Sequence, residues 1–145
     1  MGLFTAFDVS SSGLTAQRLR MDIISQNMAN VNTTQTEDGK PYVRKTVQFT
    51  EKSNNTFHDY LMTTQGMVGV GVKVTKVVED TSTAMKMVYD PSHPDADENG
   101  YVTYPNVNPV TEMTNLIDAS RSYEANITVF NASKAMALKG LEVGK

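Results

Sequence analysis

A chain of 145 residues has room for one modest core, or for one small domain carried on helical arms. Its net charge of −3 argues against nucleic acid as a partner, because phosphate binding needs a basic face, and the absence of cysteine excludes disulfides and thiolate metal sites. No run of about 18 apolar residues is present to span a membrane, and no cleavable leader is read, since the first charge is Asp8 and Ser10, Ser11 and Ser12 break the apolar start.

Charge divides the chain in three. Residues 1–36 carry four charges and no lysine, residues 37–108 carry seventeen, ten of them acidic, and residues 109–145 carry eight, four of each sign. The expected organisation is an N-terminal helical arm (1–36), a β-rich middle (37–108) and a C-terminal helical arm (109–145). The fold class is therefore α+β: two long terminal helices packed as an antiparallel or coiled-coil-like pair, with a small antiparallel β insertion between them.

In the N-terminal arm, Phe7, Leu14, Met21 and Met28 fall at one heptad position, and Leu3, Ser10, Gln17, Ile24 and Val31 at the other. Gly13 costs about 1 kcal/mol against alanine inside such a helix. The opposite face holds Gln, Asn, Ser and Thr, polar but hardly charged, so it can be buried against other protein at little electrostatic cost. Asn30, Asn32, Thr33 and Thr34 end the periodicity.

The middle offers three extended stretches, at 42–49, 68–78 and 85–89, expected to form one small antiparallel sheet. Residues 50–66 read as a loop. Gly66, Gly69 and Gly71 read as turn or bulge positions, because no Lys-Ser or Lys-Thr follows to make a phosphate loop. In the segment 89–108, Pro91 and Pro94 impose an extended path. Asp95, Asp97, Asn99 and Gly100 match the first positions of a calcium loop, but its twelfth position would be Asn106 instead of a bidentate glutamate. A turn with solvated carboxylates competes with that calcium-binding module and fits better. His93 lies beside Asp90 and Asp95, with His58 the only other histidine, and nothing around it assembles a catalytic set. No cofactor is expected, and the chain reads as no enzyme.

The C-terminal arm opens with Asn108 as cap, Pro109 at the first helical position and Glu112 near the positive end of the dipole. Met113, Leu116, Ser120, Tyr123, Ile127, Phe130, Lys134, Ala137 and Leu141 follow a 3-4 stripe, with Lys134, Lys139 and Lys145 toward the negative end. A helix of this length needs a partner to cover its stripe, and the N-terminal arm supplies one. Both arms are also expected to meet other subunits. Asn27, Asn30 and Asn126, at seam edges, are candidates for hydrogen bonds between helices, against the plainer roles of helix termination or surface polarity.

Several of these residues resemble a known family. Ser12-Gly-Leu-Thr-Ala-Gln17, Arg20-Met21 and Asn27-Met-Ala-Asn30 with Thr33 are similar to the N-terminal signature of the flagellar rod and hook proteins. Val88-Tyr-Asp-Pro-Ser-His-Pro-Asp-Ala-Asp97, Gly100-Tyr-Val102, Pro105-Asn-Val-Asn108 and Arg121-Ser-Tyr-Glu-Ala-Asn126 narrow the resemblance to the proximal-rod group. The turn Asp80-Thr-Ser-Thr-Ala84 departs from that group in lacking proline. Another axial rod subunit is the nearest alternative.

The resemblance implies a structural protein made in the cytoplasm and exported by the flagellar type III apparatus to the basal body. There it would stack with copies of itself and other rod proteins into a hollow drive shaft between the basal-body ring and the distal rod. The implied assembly interface comprises Leu3, Phe7, Leu14, Met21, Ile24, Asn27, Met28 and Asn30 of the first arm. The second arm contributes Met113, Leu116, Tyr123, Asn126, Ile127, Phe130 and Leu141.

Overall fold

A computed structural model describes residues 3–52 and 71–143. The expected loop beyond residue 52, the strand residues Val68 and Val70, Gly66, Gly69, His58 and Lys145 lie outside the described residues, as does the side chain of Leu3. The elements run α1 (Leu3–Ala29), β1 (Lys45–Glu51), β2 (Val72–Glu79), β3 (Lys86–Tyr89), β4 (Tyr101–Tyr104) and α2 (Pro109–Val143).

The terminal helices pack antiparallel. Phe7 meets Phe130 edge-to-face at 5.1 Å between ring centroids, and at the other end Asn27 bonds Glu112 at 3.0 Å. Between them Gly13 faces Asn126 so closely that an added Cβ would lie 3.0 Å from its Oδ1. The glycine that weakens an isolated helix therefore permits the close approach of two. At the end of α1 the Asn30 amide donates to the Gln26 carbonyl at 2.9 Å while its Oδ1 accepts from the Thr33 hydroxyl, which closes the last turn. At the start of α2 the Asn108 Oδ1 accepts from the amides of Val110 (3.0 Å) and Thr111 (3.4 Å), the expected cap.

The stripe of α2 needs a correction. Leu116, Tyr123, Phe130 and Ala137 are half-buried, as the periodicity predicts. The companion positions are Glu112, Ala119, Asn126 and Ser133, not Met113, Ser120, Ile127 and Lys134. Glu112 and Ala119 are fully buried and Ser133 nearly so, whereas Met113 and Leu141 are more than half exposed. The seam is offset by one residue because helices this close accept small or hydrogen-bonded side chains, and Met or Ile would hold them apart.

The expected single sheet is also corrected. β1 pairs with β2 antiparallel, with a bulge at Gln48/Phe49, and β3 pairs with β4 in a separate two-stranded sheet. Strand β4 is the missed element. Only four residues long, it follows the turn at Gly100 (φ 79°) and merges in sequence with the proline-rich segment. Its Val102 is fully buried and anchors the second hairpin.

The first hairpin packs on α1 beside α2, so that Asn27 reaches both Lys45 and Glu112. Ala16 is buried there, and the Ser12 hydroxyl accepts from the Val72 amide at 3.1 Å while donating to the Val9 carbonyl at 2.8 Å. Part of the uncharged face of α1 is thus covered by the chain's own β2. Gly71, just before that strand, has φ 120°, and a Cβ there would sit 2.3 Å from the Ser12 Oγ. Gly71→Ala is expected to cost about 2–3 kcal/mol, from a left-handed residue with a Cβ plus the lost Ser12–Val72 hydrogen bond. Urea denaturation of Gly71→Ala beside Ser12→Ala checks it, the second variant losing only the hydrogen bond.

Candidate functional site

Where the middle joins the helix pair, a buried polar junction ties α1, the start of β1, the turn after β2, the segment before α2 and the first turn of α2 together. Asn27 of α1 is 1% exposed and uses its full hydrogen-bonding capacity. Its Nδ2 donates to the Lys45 carbonyl (2.8 Å) and to Glu112 Oε2 (3.0 Å), and its Oδ1 accepts from the Tyr42 hydroxyl (2.9 Å) and the Lys45 amide (2.9 Å). Glu112 Oε1 takes two bonds from the Arg44 guanidinium, at 2.9 Å from Nε and 2.7 Å from a terminal nitrogen. That guanidinium also reaches Asp80 at 3.5 Å.

A second amide completes the junction. Asn106 Oδ1 accepts from the Arg44 amide at 2.8 Å, and its Nδ2 donates to the carbonyls of Asp80 (2.7 Å) and Thr83 (3.2 Å). Burial raises the Tyr42 phenol above its ordinary pKa, with the nearby Glu112 and Glu79 charges adding to the effect. Tyr42 therefore stays a neutral donor to Asn27 throughout the physiological range.

Asp80 fixes the turn after β2. Its Oδ1 accepts from the Ser82 hydroxyl (2.6 Å) and from the amides of Ser82 (3.0 Å) and Thr83 (3.2 Å), and its Oδ2 from the Thr83 hydroxyl (2.9 Å). This turn forms without the proline typical of the resembled group, by side-chain bonding alone. The bonds, led by that of the Ser82 hydroxyl, hold the Asp80 carboxyl far below the usual carboxylate range. A depressed folded-state pKa contributes stability that is present above the ordinary carboxylate pKa of about 4 and is lost as pH falls below it. Asp80→Asn should therefore be less stable than the parent at neutral pH, with the gap closing below about pH 4. Urea midpoints measured from pH 7 to pH 3 check it.

The calcium-like segment is used differently. Asp97 Oδ1 accepts from the amides of Asn99 (2.9 Å) and Tyr101 (2.8 Å), closing the turn into β4. Asp95 accepts from the Thr34 hydroxyl at 2.6 Å and so ties the segment to the end of α1. The His93 Nδ1 accepts from the Asp95 amide at 3.1 Å, and its ring stacks edge-on against Tyr104. No group of three or more metal-ligating side chains occurs among the described residues.

The residues expected at an assembly interface divide by location. Phe7, Leu14, Met21, Met28, Leu116, Tyr123 and Phe130 are half-buried and Ile24 is buried, so they serve first to join the chain's own elements. Asn27 makes the interhelical bond, Asn30 ends α1, and Asn126 packs on Gly13 while donating to the Ser122 carbonyl within its own helix (2.9 Å). Met113, Ile127 and Leu141 face outward with Val110, Ile117 and Leu138, leaving α2 with an apolar surface that α1 does not cover. Sequence reasoning missed the roles of Arg44, Tyr42 and Asn106, which carry no periodic signal.

Known flagellar proteins match this chain throughout. A family model described as "Flagella basal body rod protein" matches residues 7–35, covering most of α1, and one described as "Flagellar basal body rod FlgEFG protein C-terminal" matches residues 98–143, covering β4 and α2. The flagellar basal-body rod protein FlgC of Borreliella burgdorferi is 48% identical over 99% of this chain and 98% of its own length. The FlgC protein of Bacillus subtilis is 47% identical, and that of Salmonella typhimurium 41%, each over the whole of both chains.

Proposed function

The chain belongs to the FlgC family of flagellar basal-body rod proteins, and from that we propose how its helices serve as a structural subunit of the basal-body rod. The carrying observation is the outward apolar face of α2. Val110 and Leu141 are each 73% exposed, and Met113, Ile117 and Leu138 each more than half exposed, on the helix whose other side is already occupied by α1. Such a face is costly to leave in water, and a partner helix removes that cost.

In this reading the terminal helices form the wall of the proximal rod and meet copies of the chain and other rod subunits. The middle lies outward. The same contacts continue to the basal-body ring on one side and the distal rod on the other. Contacts that do not close on themselves generate a helical stack, and large packed interfaces make it stiff under torsion. The chain works as a mechanical part and not as an enzyme.

The monomer's own packing is thin, which suits delivery through the flagellar type III export apparatus in an unfolded form. Among the described residues the buried apolar side chains are only Ala16, Ile24, Tyr42, Val102, Val107 and Ala119. Residues 1–36 are accordingly proposed to be only marginally stable in the free chain, packed against α2 for part of the time, and to reach full order on assembly. The test is a density map of intact basal bodies in which this chain is traced, together with circular dichroism of the purified monomer. A rod that builds normally in cells lacking the chain would overturn the function. A fully helical, protease-resistant monomer would overturn the ordering step alone.

A further inference from the structure

Between α1, β1 and the start of α2 lies a groove of about 340 Å³, lined with apolar surface from Ile23, Val47 and Phe49 and with the cations Arg20, Arg44 and Lys45. Arg44 is committed to Glu112 and Asp80. Arg20 has no carboxylate partner among the described residues, and the Lys45 ammonium lies over the Tyr42 ring, 5.6 Å from its centroid. With Arg44 balanced by Glu112 and Asp80, Arg20 and Lys45 remain as the groove's uncompensated cations, beside the apolar surface of Ile23, Val47 and Phe49. None of its lining residues comes from β3 or β4, so the chain does not fill it with its own second hairpin.

That second hairpin has the opposite character. Tyr89 and Tyr101 are cross-strand partners stacked edge-to-face at 5.2 Å, and with Met87 they are exposed by 63%, 42% and 63% respectively. The hairpin and the segment joining its strands carry Asp90, Asp95, Asp97 and Glu98 against the single Lys86, with Asp95 taken by the Thr34 hydroxyl. The Ser92 hydroxyl holds the Asp90 carboxyl below its usual range, so it remains charged. Exposed tyrosine and methionine with a charged rim is the composition of an interface core, not of an idle surface.

We propose that the β3–β4 knob of one copy seats in the Arg20–Lys45 groove of a second copy, a head-to-tail contact that links successive subunits through their middle regions. The match is one of charge and of apolar surface: an acidic-rimmed aromatic knob and a cation-rimmed apolar groove, both carried by the same chain. Knob and groove are different surfaces, so the contact is heterologous and leaves a free knob and a free groove at either end of any pair. This inference rests on the chain acting as a rod subunit and adds a second copy-to-copy contact, distinct from the outward face of α2.

The cysteine-free sequence makes disulfide trapping clean. Tyr89→Cys and Ile23→Cys are made as separate variants and produced together in cells lacking the parent chain, and basal bodies are isolated under mild oxidation. The inference expects a mixed Tyr89→Cys/Ile23→Cys dimer as the dominant cross-linked band, at least tenfold over either homodimer. The double variant in one chain should then give a ladder of oligomers. Met87→Cys with Arg20→Cys is the second pair, for the case in which Ile23→Cys disturbs α1. Homodimers of Tyr89→Cys as the main product, linkage of Tyr89→Cys to a different basal-body protein, or no cross-link from either pair while both variants are present in the basal bodies would each overturn it. Absence of the chain from the basal bodies would instead count against the rod function itself.

Discussion

Glu112→Ala is expected to be strongly destabilising, at about 3 kcal/mol or a fall in melting temperature of roughly 6–12 °C. The carboxylate is fully buried and accepts from Arg44 and Asn27. Its removal leaves a buried amide hydrogen without an acceptor and a guanidinium without its principal counter-charge. Arg44 keeps 22% side-chain exposure and the 3.5 Å contact to Asp80, so it can turn partly toward water. The loss therefore falls at the lower end of the range for broken buried pairs. Replacing both partners, as Arg44→Met with Glu112→Leu, should cost less than Glu112→Ala alone, because no uncompensated charge remains. Thermal denaturation of the three variants decides it; a loss under 1 kcal/mol for Glu112→Ala would mean that the junction does not hold the fold together.

That junction also marks the limit of what the sequence discloses. The Asn108–Pro109 start of α2, the end of α1 near Asn30 and the antiparallel pairing of the arms are local or periodic signals, and they are legible. The Asn27–Glu112 bond spans 85 residues and the Arg44–Glu112 pair 68, and no spacing rule connects such positions. Glu112 illustrates the difficulty. Its place in the first turn of a helix already explains a carboxylate through the helix dipole, and that ordinary account conceals its role as the acceptor at the centre of the molecule.

The one-residue offset in α2 has a different origin. Hydrophobic periodicity reports every apolar face of a helix, whichever molecule covers it. Met113 and Ile127 dominate the pattern by size, while the intramolecular seam is built from Ala119, Asn126 and Ser133, which small volume or hydrogen bonding suits to close approach. The stripe in the sequence is thus a blend of two faces. One is satisfied within the chain, and the other is left for a partner.

Separating those faces gives the second large prediction. Ile127→Asp should lower the monomer's melting temperature by only about 2–4 °C yet abolish rod incorporation and motility. Ile127 is 37% exposed, at the edge of the seam and not within it, so a carboxylate there reaches water in the free chain and costs about 1 kcal/mol in lost apolar contact. In the assembled rod the same position is proposed to be covered by a neighbour. The carboxylate must then be desolvated, and neither Phe130 nor Asn131, its neighbours one helical turn onward, offers a cation. The cost is several kcal/mol at each contact, on top of the roughly 1.5–3 kcal/mol of apolar burial that the isoleucine no longer supplies. A helical stack repeats that contact in every copy of the chain, so the penalty accumulates with each subunit added. Leu14→Asp is the contrasting variant: Leu14 is half-buried against the chain's own elements, so the charge should lower monomer stability by clearly more than Ile127→Asp does, as well as assembly. Melting curves of purified Ile127→Asp and Leu14→Asp, with swimming assays and basal-body preparations from cells carrying each, separate the two effects. Normal motility with Ile127→Asp would show that this face of α2 stays in water and that the subunit's contacts lie elsewhere.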